Sequence, residues 1–225
     1  TVERPVRHGP LRAAFVGRLV PLKGVDLLLD AAVELARAVM EHSPHVLLIG
    51  AGADLNALSA DGESALTRAA RMGRAGAVRV LIDAGADMNI VHGPKSETPL
   101  VAAVTMGFLE VVKMLLSAGA DLSVRDAHGH TALYDACWPG RDDNCVAVVR
   151  AILDAGAEVN GVQGPYGHTP LHRAASYGNV DVVKMLIAAG ADVNATSANG
   201  RTALLAACGG AHIGVVRALI DAGLV

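Results

Sequence analysis

The chain has 225 residues, with 19 basic and 22 acidic side chains and a formal net charge of -3. So near a balance excludes the basic stripe of a nucleic-acid binder and of a ligand for anionic membrane surfaces. Hydrophobic residues make up 52% but aromatic residues only 3%, so the apolar content is mostly Ala, Val, Leu and Ile, which suits thin helices in close contact. Cys137, Cys145 and Cys208 are odd in number and form no C-x-x-C pair, which argues against a disulfide framework and a zinc ribbon. Free thiols point to a reducing compartment and a cytoplasmic location. No apolar run reaches the roughly 18 to 20 residues that span a bilayer, so no membrane partner is expected.

In chain order, residues 1–24 come first as an N-terminal extension, either strand or disordered chain. Residues 1–10 lack the apolar core of a secretion leader, although the chain opens on Thr1 rather than Met, which leaves a removed leader open. From Phe15 an apolar run passes through Arg18 to Val20, a loop carries Pro21, Lys23 and Gly24, and a second apolar run begins at Val25. Over residues 11–50 this order resembles the start of the donor-binding domain of nucleotide-sugar glycosyltransferases of the two-Rossmann-domain type. The resemblance implies that Arg18 and Lys23 face a donor diphosphate. That family's paired glutamates have no counterpart further on, and a lone strand and helix cannot build a parallel sheet or a nucleotide crevice. A leftover structural role is therefore expected, and a nucleotide-sugar site at Arg18 and Lys23 is the alternative function. Residues 25–56 also read as a divergent capping unit. Residues 27–40 have helical apolar spacing, and Val46, Leu47, Leu48 and Ile49 lead into Gly52 as later apolar runs lead into their own glycines.

A periodic phrase follows. Ala-Gly-Ala-Asp or a near variant is centred on Gly52, Gly85, Gly119, Gly156, Gly190 and Gly223, at intervals of 33, 34, 37, 34 and 33 residues. In phase with it, Ser64, Thr98, Thr131, Thr169 and Thr202 each precede Ala or Pro and then Leu. The span from that Ser or Thr to the next glycine is 21 residues in every unit but the third, where it is 25, which places an insertion within 139–144. Thr169, Pro170, Leu171, His172 and Ala174 match the T-P-L-H-x-A signature at every fixed position, and the chain resembles the ankyrin-repeat family. Five units in register give 57–89, 90–123, 124–160, 161–194 and 195–225. The fold implied is all-α: a solenoid of helix-turn-helix units joined by hairpin-like turns.

Local chemistry agrees with this reading. Thr169 can cap a short helix with Pro170 at its first position, where no N–H is required. Gly178 ends that helix; Val182, Val183, Leu186 and Ile187 supply a second apolar helix, and Gly190 stops it. His172 reads as a hydrogen bonder that stabilises the turn. Asn56, Asn89, Asn160 and Asn194 read as turn formers bonding their own backbone. In the last unit Val215, Val216, Leu219 and Ile220 repeat the interior pattern without a polar outer face. An apolar patch there, and self-association through the C-terminal repeat, are expected.

The resemblance implies a non-catalytic module that binds a partner protein through the concave face and the turn tips. The family's contact positions fall three and one before the signature Ser or Thr and seven and eight after it. The partner-binding candidates drawn from them are Met72, Lys95, Met106, His128, His130, Trp138, Tyr166, His168 and Tyr177. Trp138, Tyr166 and Tyr177 are three of only six aromatic residues, and residues of this kind dominate binding hot spots. The patch is expected over the third and fourth units, with 139–144 as its rim. His128 and His130 with Asp126, Cys137 or His168 offer metal-ligating atoms, but spacing does not make four ligands converge as zinc needs, and solvated turn histidines are expected. No nucleophile elbow, metalloprotease helix or phosphate loop is present. No catalytic residue, cofactor or metal is expected.

Overall fold

The computed structural model describes residues 54–91, 96–138 and 144–223. The N-terminal extension, nearly all of the capping unit 25–56, Arg18, Lys23, Lys95 and most of the 139–144 insertion lie outside the described residues. Within them, ten helices occur in pairs. The pairs are α1 (Ala65–Arg71) with α2 (Ala75–Asp83), α3 (Pro99–Thr105) with α4 (Leu109–Ser117), α5 (Ala132–Ala136) with α6 (Cys145–Asp154), α7 (Pro170–Tyr177) with α8 (Val180–Ala188), and α9 (Ala203–Gly209) with α10 (Ile213–Asp221). Strand-like pairing among the described residues is confined to isolated bridges, such as Leu58 with Ser64 and Thr196 with Thr202. The all-α expectation holds.

Each first helix starts the same way. The side-chain oxygen of Ser64, Thr98, Thr131, Thr169 or Thr202 accepts the amide three residues on, at 3.1 to 3.5 Å. Pro99 and Pro170 take the first helical position. Such a cap is worth about 1 kcal/mol against Ala. His172 completes a reciprocal cap: the Thr169 amide donates to its Nδ1 at 3.3 Å, so its Nε2 carries the proton and donates to the Arg201 carbonyl at 2.8 Å.

Each second helix stops at a glycine with φ between +86° and +91°, at Gly85, Gly119, Gly156, Gly190 and Gly223. A Cβ there would meet nothing within 4 Å, so the left-handed backbone, not lack of room, selects glycine. The first helices end on Gly73, Gly107 and Gly178 in the same conformation, but the last unit puts Ala211 there at φ 56°. That Cβ costs on the order of 1 kcal/mol.

The helices pack first against first and second against second along the stack. Leu66, Leu100, Leu133 and Leu171 are fully buried between inner helices whose close approach depends on Ala69, Ala70, Ala103, Ala136, Ala174 and Ala175. Val78, Leu115, Ile152, Leu186 and Leu219 fill the second layer. One apolar core runs through all five pairs, and no single pair could bury it alone.

The turns correct one expectation. The asparagines do not bond their own backbone; the preceding aspartates do. Asp54, Asp87, Asp121 and Asp192 accept the amide two residues on at 2.8 to 2.9 Å. Free of that task, Asn56, Asn89 and Asn160 reach across to the next unit and accept the amides of Asp87, Asp121 and Asp192 at 2.8 to 2.9 Å. Ser123 stands at the corresponding place after the second unit, and its hydroxyl bonds back to Asp121 at 2.7 Å. At the next junction Gln163, 2% exposed, ties the hairpins together. Its Oε1 accepts from the Thr131 amide and from Arg125, and its Nε2 donates to the Gly161 carbonyl.

Candidate functional site

The stack lines up one side chain per unit along the hairpin tips, immediately before the capping residue: Glu63, Glu97, His130, His168 and Arg201. The acidic end is closed on itself. Arg71 reaches Glu63 through Nε at 2.6 Å and Glu97 through a terminal nitrogen at 2.7 Å, tying the first two units. Met72 is exposed beside it, and Met106 is half-buried.

The ends of α5 and α7 bring Trp138 and Tyr177 into contact. Their ring centroids lie 4.6 Å apart, and the residues are 49% and 39% exposed. Arg173 runs beneath them, its guanidinium 4.4 Å from the Tyr134 ring centre and 5.3 Å from that of Trp138, an arrangement favoured by the ring quadrupoles. With His168, His172 and Arg201 these residues line a groove of about 260 Å³.

Tyr166 is 58% exposed and sits on the hairpin tip, away from the Trp138–Tyr177 pair. Its ring lies 6.0 Å from that of His168, which in turn stacks at 5.6 Å on His172. On the other side His128 and His130 are 5.7 Å apart, and His130 tilts over Tyr134 at 4.5 Å. The groove thus has one half-exposed aromatic pair and two flanking histidine arms.

Burial sets the electrostatics. It lowers the pKa of His130, with Asp126 opposing and Arg173 reinforcing. It lowers that of His168, reinforced by His172 and Arg201, and that of His172, opposed by the hydrogen bond to the Arg201 carbonyl. All three are neutral at pH 7. Asp135 is pushed up to about 6 by burial, with Arg173 pulling it back. Burial drives the Cys137 thiol up to about 12, which leaves it without thiolate and unreactive.

Asp126, His130 and Asp135 offer three ligand atoms within 4.8 Å of one another. Each already has other work. One oxygen of Asp126 accepts the amides of His128 and His130 at 2.8 Å, shaping the turn. Asp135 faces Arg173 at 3.3 Å, and that guanidinium already supplies the positive charge a cation would bring. Of the three, Asp135 is the one that pairs with Arg173 and holds it in place.

Reading the sequence by family contact positions missed Arg173, Asp135 and Tyr134. The signal was there: Asp135 and Arg173 lie four residues after their capping threonines, one helical turn before the eighth position and on the same face.

Among the described residues no helix is long and apolar enough to cross a membrane. Residues 35–126, 87–162, 126–197 and 141–224 each match the family model described as ankyrin repeats (3 copies). Human ankyrin repeat and SOCS box protein 16 is 33% identical over 160 residues, covering 69% of this chain and 35% of that protein. The mouse B-cell lymphoma 3 protein homolog is 34% identical over 100 residues, 44% of this chain and 21% of its own length. The neurogenic locus Notch protein of Drosophila melanogaster is 38% identical over 79 residues, 35% of this chain and 3% of its own. The matches span about a third or less of these relatives. With the repeat signature, the paired helices and these matches in agreement, the chain belongs to the ankyrin-repeat family.

Proposed function

We propose that this chain is a non-catalytic module that binds a partner protein through the concave side of the solenoid, with its centre on the Trp138–Tyr177 groove. The observation that carries the reading is that pair of touching, half-exposed aromatic rings laid over a braced arginine. Large rigid rings contribute contact area at low entropic cost, and hot spots are enriched in Trp, Tyr and Arg. Met72, Met106, His128, His130, Tyr166 and His168 belong to the proposed surround, whose part is complementarity and exclusion of water; Lys95, outside the described residues, stays a candidate from the sequence alone. The measurement is capture from a broad lysate by the wild type and by a Trp138→Ala, Tyr166→Ala, Tyr177→Ala variant with unchanged circular dichroism. A protein held by the wild type and lost by the variant is the expected result. Equal capture by both would place the binding surface elsewhere.

A second reading concerns the fifth unit. Leu205, Ile213 and Ile220 are all more than half exposed on its outward side, an apolar cluster of the kind that marks an interaction surface. Self-association through this face accounts for it.

A further inference from the structure

The charge along the hairpin tips changes sign in order. Glu63 and Glu97 are both consumed by Arg71, His130 and His168 are the intermediate members, and Arg201 ends the row. Arg201 is exposed and makes no ion pair among the described residues. Arg173, in the wall of the same groove, has one carboxylate, Asp135, and its Nε has no hydrogen-bond partner. His172 spends both ring nitrogens on Thr169 and the Arg201 carbonyl, so it adds neither charge nor a spare donor. Asp135 balances Arg173, with a carboxylate oxygen of Asp126 within 4.8 Å of that of Asp135, so the groove cation left without an ion pair among the described residues is Arg201, beside an apolar aromatic floor.

We infer that the groove takes an extended acidic peptide segment of the partner, an apolar or aromatic side chain resting on Trp138 and Tyr177 and a carboxylate on Arg201. The inference rests on the protein-binding reading above and names its chemistry. Neighbouring helices stand about 8–10 Å apart, and an extended chain rises about 3.3 Å per residue. The carboxylate therefore sits roughly two to three residues from the apolar anchor. One unpaired guanidinium suits a single carboxylate better than a doubly charged phosphate. Single-stranded nucleic acid would need a basic track along the solenoid, and the row that could supply it starts with two glutamates.

The test is a phage-displayed random peptide library selected on the whole chain and on folded Trp138→Ala, Arg201→Ala and Arg201→Lys variants. The wild type is expected to enrich peptides with Asp or Glu about two to three positions from Phe, Tyr, Trp or Leu. Arg201→Ala is expected to keep the apolar anchor, drop the acidic preference and bind a synthetic copy of the selected peptide about tenfold more weakly. Arg201→Lys should retain the preference. Enrichment of neutral or basic peptides, or an acidic preference unchanged in Arg201→Ala, overturns the acidic assignment and leaves the groove as a protein-binding site. No enrichment by the wild type, or enrichment indifferent to Trp138→Ala, overturns the groove itself. Tighter binding of a single-stranded oligonucleotide than of any selected peptide would overturn the assignment in favour of a nucleic acid.

Discussion

Asp135 is held between two opposing influences, and its titration tells which prevails. Burial favours the neutral acid, while Arg173 favours the carboxylate; the balance leaves it at about 6 against an ordinary 3.8. A carboxyl whose folded pKa lies above its unfolded one binds its proton more tightly in the folded state. Its contribution to stability is then full below about pH 4 and is lost as pH rises through 6. In Asp135→Asn this loss is absent. The variant's stability relative to the wild type should therefore rise between pH 4 and pH 7, by at most about 3 kcal/mol. Urea unfolding of both proteins at the two pH values measures it, and a difference that falls with pH would mean that Arg173 outweighs burial. At this scale the sequence was legible where a residue answers to its own unit. Thr169 and His172 cap their helix as the signature implies. Arg173 was not legible, because its partners Asp135, Tyr134 and Trp138 belong to the preceding unit and come within reach only once the stack forms.

Between elements, the turns carry a ladder with a missing rung. Asn56, Asn89 and Asn160 each bind an amide of the following unit, whereas Ser123 bonds only within its own turn. The amide of Glu158, placed like those of Asp121 and Asp192, receives no such bond. Ser123→Asn should supply it and raise the unfolding free energy by about 0.5–1 kcal/mol, the usual net worth of one such bond. Chemical denaturation is the measurement; no gain would show that water at the exposed turn serves Glu158 equally well. The same ladder explains why the asparagines were misread. A single repeat offers Asn only its own backbone, and the competing aspartate two residues earlier had already taken that amide. The helices, by contrast, were readable from cap, apolar period and glycine stop, all of which act within one unit.

For the whole molecule, the decisive contrast is between covered and uncovered copies of one position. Three residues after the cap, Thr67, Val101, Tyr134 and His172 are buried, and in the fifth unit Leu205 is exposed. Leu219, which the sequence pattern grouped with the outward residues, is instead fully buried. A triple variant with Leu205→Lys, Ile213→Glu and Ile220→Lys should sediment as a monomer at concentrations where the wild type associates. A wild type that is monomeric throughout would set self-association aside.

The same contrast extends to sulfur. Six residues after the cap, Ala70, Val104, Cys137 and Ala175 are sealed inside the stack, while Cys208 lies open on the fifth unit. The chain thus carries a chemical gauge on the face proposed for self-association. With Cys137 sealed, an alkylating reagent followed by peptide mapping reads Cys208 as a clock. It runs at the speed of a free thiol when the face is bare and slows when anything rests against it, whatever that companion is.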